Sequence, residues 1–176
     1  MSSQDTARAL RETDPLSEIK ARARSALPAV LAGLGGFLVI YLLSELTSLL
    51  EASLLIAPFG ASCVLVFGLP QSPLAQPRNV IGGHLISSAV GLASLALLGP
   101  TPLAFGIGVG IAITAMLLTR TTHPPAGADP IVVILAGASW QFLLMPVLLG
   151  ALVILAIGMI YHRLVTKAPF PAVVGK

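Results

Sequence analysis

From Leu27 to Leu50 the chain runs for 24 residues with one charged side chain, Glu45. Wound as a helix at ~1.5 Å per residue, such a run covers roughly 36 Å, enough to cross a hydrocarbon core of about 30 Å. It is too long for the core of a cleaved signal and is read as a retained first span with a cytoplasmic N-terminus. Further apolar runs occupy 52–69, 80–98, 103–118, 131–139 and 141–160. A mean hydropathy of +0.95, with 10 % charged and 56 % hydrophobic residues, lies far from the balance of a soluble domain. Backbone N–H and C=O groups in lipid must find partners within the protein, so the expected fold is an all-α integral membrane protein.

The domain reading follows from where the charges stop. Residues 1–26 form a polar cytoplasmic lead, in which Asp14 and Pro15 read as N-cap and first helical residue of an amphipathic interfacial helix. Residues 27–164 form one membrane domain, and 165–176 a C-terminal tail. The net charge of +3 suggests no nucleic-acid partner, because the basic residues cluster beside apolar runs, where they set topology and meet anionic lipid. A single cysteine, Cys63, excludes an intramolecular disulfide. Three scattered histidines give no metal-binding spacing, no phosphate-binding glycine loop or nucleophile elbow appears, and no cofactor is expected.

Two short stretches break the hydrocarbon pattern in the same way. Pro58-Phe59-Gly60-Ala61-Ser62 is matched by Pro125-Ala126-Gly127-Ala128-Asp129, 67 positions later. Each copy lies between two apolar runs, so the chain reads as two repeats, 27–98 and 103–164, of span, broken helix, span. Taking 123–128 as extended and 129–139 as helix gives roughly 36 Å, enough to cross. With six crossings, two of them discontinuous, the repeats are inverted and all ten Lys and Arg residues fall on the N-terminal side, as the positive-inside rule favours. The alternative is four spans plus two re-entrant half-helices.

Helix starts inside a membrane leave backbone N–H groups without partners. Ser62 and Asp129 are N-cap residue types at the two expected starts, and Pro130 suits the first helical position. The free N–H groups around Gly60, Ala61 and Ser62, and around Gly127, Ala128 and Asp129, then suit a small anion, with the glycines permitting close approach of backbone. Against this stands the bland reading, that proline and glycine mark kinks only. Asp129 would repel an anion unless capped, paired or protonated. His123 and Arg120 are placed at the cytoplasmic mouth, and His84, six residues inside the span after Arg78, is an ionisable group in the membrane with His123 as its expected neighbour. His162, beside Tyr161 and Arg163, reads as an interface anchor, and Trp140 as a marker of the outer interface. Stripes of small residues at Gly83, Ser87 and Gly91, and at Gly106 and Gly110, suit close helix packing within the chain or in a homo-oligomer.

The residues "THPPAGADP" resemble the HPP family of integral membrane proteins, named for the triplet that stands here as His123, Pro124 and Pro125. "APFGAS", the Pro-rich loop with Arg78 and Asn79, and "GGH" at 82–84 extend the resemblance over roughly 28–165. The resemblance implies transport, with nitrite the substrate attributed to plastid and cyanobacterial members, and a family usually described with four spans. The chain lacks the transit peptide and soluble regulatory domain of some relatives, which implies a bacterial inner-membrane protein. Together these readings give a transporter or channel for a small anion, nitrite first, and not an enzyme. An intramembrane enzyme using His84, His123 and Asp129 in acid-base roles, or a structural membrane subunit, are the alternatives.

Overall fold

The computed structural model describes residues 15–51 and 53–172, with side chains from residue 26 onward. The described residues are helical throughout, without a β-strand. Helix α1 runs unbroken over Pro15–Leu50, so no separate interfacial helix stands apart from the first span. The proposed N-cap Asp14 and the charged face of the lead lie outside the described residues. Helix α2 covers Ala57–Cys63 and continues as one π-helical turn, Val64–Gly68. Then follow α3, Pro77–Leu98, and α4, Pro102–Leu118. A 3-10 segment, Pro124–Ala128, leads into α5, Asp129–Leu135. Short turns over Trp140–Leu143 and Leu144–Leu148 lead to α6, Leu149–Tyr161.

Among the described residues, three helical stretches are long and apolar enough to cross a membrane: Ala26–Leu50, Pro77–Leu98 and Trp140–Thr166. The run 103–118, expected as a further span, forms α4, a shorter apolar helix of 17 residues that reaches about 26 Å at ~1.5 Å per residue. The turn between α3 and α4 follows the residue types. Gly99 closes α3 at φ +63°, and Thr101 caps α4 by accepting a hydrogen bond from the N–H of Ala104, with Pro102 next in the chain.

The first broken helix starts earlier than expected, at Ala57, and the second starts at Asp129 as expected but ends sooner. Residues 124–128 are a 3-10 helix rather than extended, and α5 stops at Leu135, followed by Gly137 at φ +56°. Proline presets φ and has no N–H to satisfy, so Pro58 in α2 and Pro124 in the 3-10 segment begin helices instead of preceding them. Laid end to end, 121–123 extended, 124–128 at ~2 Å and 129–135 at ~1.5 Å per residue still reach about 30 Å.

Hydrogen bonds sort the segments into two ends. At one end Arg78 Nη2 donates to Thr119 O (2.8 Å), Asn79 Nδ2 to Thr122 O (2.8 Å), and the N–H of Ala172 to Gln76 Oε1 (2.8 Å). At the other, the N–H of Leu54 donates to Thr47 Oγ1 (2.9 Å), and Ser53, Ala136, Ser139 and Gln141 line one cavity. The segments 53–69 and 121–139 therefore each run from one end to the other.

Helix α3 is central: 44 % of its apolar window is buried, against 17 % for α1, whose outer face shows Leu34, Phe37, Leu38 and Tyr41. The buried face of α3 is a row of small and polar residues, Gly83, His84, Ser87, Ser88 and Gly91, at helical spacing. It admits close neighbours, since a Cβ at Gly91 would stand 2.6 Å from Pro130 Cα. An apolar cluster of Val39, Leu43, Leu54, Phe59, Val66 and Ile154 joins α1, α2 and α6, with Phe59 packed directly on Gly150.

Candidate functional site

Where α2, α3 and the 124–135 segment meet, four polar side chains form one hydrogen-bonded chain. Ser62, His84, His123 and Asp129 are each 0 % exposed. Ser62 Oγ lies 2.9 Å from His84 Nε2 and 2.8 Å from His123 Nε2, and 3.2 Å from Pro58 O. His84 Nδ1 lies 2.8 Å from Asp129 Oδ2, which also accepts from Ser88 Oγ at 3.1 Å. His123 Nδ1 donates to the carbonyl of Leu74 at 2.8 Å, because a carbonyl oxygen can only accept. The second carboxylate oxygen, Asp129 Oδ1, is buried without a hydrogen-bond partner among the described residues.

Local structure explains the convergence. Ser62 sits one turn into α2 and faces inward with Pro58, Phe59 and Cys63. His84 projects from the buried row of α3, held edge-on by Phe59 at 5.2 Å and by the His123 ring at 4.9 Å. His123 is in extended backbone (φ −136°) ahead of the prolines, so its ring points inward as Pro124 starts the 3-10 turn. Ser87 Oγ donates to Ala126 O at 2.6 Å and clamps that turn onto α3. The chain runs from the Pro-rich loop at Leu74 to Ser88, halfway along α3. Its two ends differ in kind, one at a loop and the other deep in the bundle.

The structure brings together four of the nine candidate residues: Ser62, His84, His123 and Asp129. It separates the rest. Gly60, Ala61 and Ala128 face outward, and Gly127 is half-buried. A Cβ at Gly60 or Gly127 would meet nothing within 4 Å, and neither has positive φ, so no protein neighbour or turn requires glycine there. Arg120 is exposed at the end of α4 at φ +56°, with its side chain outside the cluster. Ser62 and Asp129 are also not caps. Ile56 and Ala128 hold the cap positions without side-chain bonds, and the two polar groups turn to His84 instead. His162 is buried, its Nε2 donating to Val66 O at 2.8 Å beside Phe67 and Phe170.

Three participants were not among the candidate site residues: Ser88, the Leu74 carbonyl, and Ser87, which the sequence offers only as part of a packing stripe. Both serines share the inner row of α3 with His84, and that spacing is a usable signal; a backbone acceptor leaves none. Among the described residues, no group of His, Cys, Asp and Glu is arranged to hold a metal ion.

The family described as HPP, transmembrane region, matches residues 21–171. Two transmembrane proteins of Dictyostelium discoideum are similar, one 36 % identical over 145 residues (77 % of this chain, 47 % of the relative) and one 35 % identical over 150 residues (80 % and 53 %). The chain thus spans about half the length of the curated relatives it matches. No solved structure matches.

Proposed function

The chain belongs to the HPP transmembrane family, and we propose that it moves a small inorganic anion across the membrane, with nitrite the first candidate. One observation carries this reading. Ser62 and Asp129, the matching positions of the two Pro-x-Gly-Ala copies, meet on opposite nitrogens of one imidazole, His84. Paired breaks converging at a repeat interface are where transporters bind substrate. The donors at hand are the imidazole N–H groups and the Ser62 hydroxyl. They replace the helix N-termini expected from sequence. All four groups are fully buried, so an anion reaches them only when the two short segments move apart.

The six-crossing, inverted-repeat arrangement belongs to this proposal. It is supported by segments 53–69 and 121–139 each joining the two ends, and by Arg78, Arg120, Arg163 and Lys167 lying toward the end where the Pro-rich loop bonds to 119–122. That end is taken as cytoplasmic, with the N-terminus, in a bacterial inner membrane. A second copy would pack on the exposed Gly106 and Gly110 of α4. The test is flux of nitrite, nitrate, formate and chloride into liposomes holding the purified protein; if none exceeds empty liposomes, transport is wrong.

A second reading has its own observation. Ser62, His84 and Asp129 are bonded in the order nucleophile, base, orienting acid. It ranks below transport because Ser62 is the sixth residue of α2, so its own N–H and that of Cys63 lie within the helical ladder rather than free to act as oxyanion donors. Labelling of Ser62 by a fluorophosphonate probe, abolished in Ser62→Ala, would reverse that ranking.

A further inference from the structure

Counting hydrogens along the buried chain exposes a shortfall. Four contacts must each hold one hydrogen: Asp129 to His84, His84 to Ser62, Ser62 to His123, and His123 to the Leu74 carbonyl. Two neutral imidazoles and one hydroxyl supply about three, and an ionised carboxylate none. A contact without its hydrogen sets two lone pairs against each other at 2.8–2.9 Å in a site shut off from water. If Ser62 instead turns its hydrogen to Pro58 O, both Nε2 atoms must donate and the shortfall grows.

We propose that Ser62, His84, His123 and Asp129 bind one exchangeable proton and relay it between the middle of the bundle and the Leu74 loop, making the proton a co-substrate of transport. The coupling rests on the anion-transport reading; the hydrogen count does not. Two arrangements satisfy all four contacts. In the first the extra proton lies between Asp129 Oδ2 and His84 Nδ1, His84 Nε2–H donates to Ser62, and the Ser62 hydroxyl donates to His123 Nε2. In the second Asp129 is ionised, His84 donates from Nδ1 and accepts at Nε2 from Ser62, and His123 is protonated on both nitrogens.

The step between them balances. Asp129 gives its proton to His84 Nδ1, His84 gives its Nε2 hydrogen to Ser62, and Ser62 gives its own to His123 Nε2. No bond in the chain is lost at either end of the step. Release follows when His123 leaves the Leu74 carbonyl and passes its Nδ1 hydrogen to water at the loop end; uptake is the reverse. With Asp129 and the extra proton together the cluster is neutral, so an anion meets no net negative charge.

Among the described residues, no other titratable group has a hydrogen bond into the chain. From α2, Cys63 packs toward Gly36. From the end of α6, His162 is bonded to Val66 and Thr166 and touches Tyr161. On α1, Tyr41 stacks with Phe37 on the outer face. Arg120, just past α4, and Arg78, in the first turn of α3, are both exposed at the loop end.

The test is ¹⁵N NMR of ring-labelled histidine in nanodiscs at neutral pH, with infrared spectroscopy of the Asp129 carboxyl. The expected result is four hydrogens on the chain: a protonated carboxyl with one hydrogen on each imidazole, or an ionised carboxyl with one doubly protonated imidazole. Two neutral imidazoles beside an ionised Asp129 would overturn the proposal. Asp129→Asn can donate to His84 Nδ1 permanently, and should release about one proton fewer per chain on alkaline titration. In proteoliposomes the same variant should lose any response of nitrite flux to an imposed pH gradient. Four hydrogens without flux of any anion would sink the transport reading alone; nitrite flux with only three hydrogens would sink the proton relay alone.

Discussion

At Gly83 an added Cβ would stand 2.6 Å from His123 Cβ and 3.0 Å from the Thr121 carbonyl oxygen, so the residue that holds His123 against His84 is a glycine one position away. Gly83→Ala should cost about 1–3 kcal/mol through overpacking against backbone that cannot give way. Gly60→Ala, in open space within a helix, should gain roughly 0.5–1 kcal/mol. Thermal unfolding of both variants in one detergent checks the contrast, and equal shifts would refute it. The sequence view had given the weight to Gly60 and Gly127, because glycine beside a helix break suggests a ligand. Ionisable residues in hydrocarbon were legible as site members for a firmer reason, the cost of placing them there unpaired. Their partners were not, since which nitrogen meets which oxygen depends on how two distant segments dock on α3.

At the scale of elements, α3 is the surface on which the broken segments seat. Its inner row has Gly91 against Pro130 and Ser87 bonded to Ala126, so bulk at position 91 pushes α5 off the helix. Gly91→Leu should reduce the folded yield and weaken the bond between His84 and Asp129, read as a changed His84 ¹⁵N signal; an unchanged signal would show that α5 is held elsewhere. The small-residue stripe 83, 87, 91 was visible in the sequence, though not whether it packs within the chain. The first helix start, expected near Ser62, lies at Ala57, whereas the second α-helix starts at Asp129 as expected, with a 3-10 segment ahead of it. Residue type marks a good cap, yet Pro58 and Pro124 begin their helices earlier, where a missing N–H costs nothing.

At the scale of the whole molecule, the proposed path lies between two ends defined by hydrogen bonds. Cysteines placed one at a time, Arg78→Cys and Ser139→Cys, in a background without Cys63, should be labelled from opposite sides of the membrane. Labelling from the same side would restore the four-span, re-entrant arrangement. Apolar runs and basic residues made the membrane class and the number of apolar segments readable, because hydrocarbon imposes length and charge rules on any chain. The meeting on the His84 imidazole of residues 22 and 45 positions away is a tertiary event with no such rule behind it.

The most direct measurement is nitrite flux into proteoliposomes for the unaltered protein, His84→Ala and Arg163→Ala, each first shown to be folded. The account predicts flux above empty liposomes, a loss of about tenfold or more in His84→Ala through removal of the group that joins both repeats, and near-full flux in Arg163→Ala. A folded His84→Ala protein that carries nitrite as fast as the unaltered chain would contradict it.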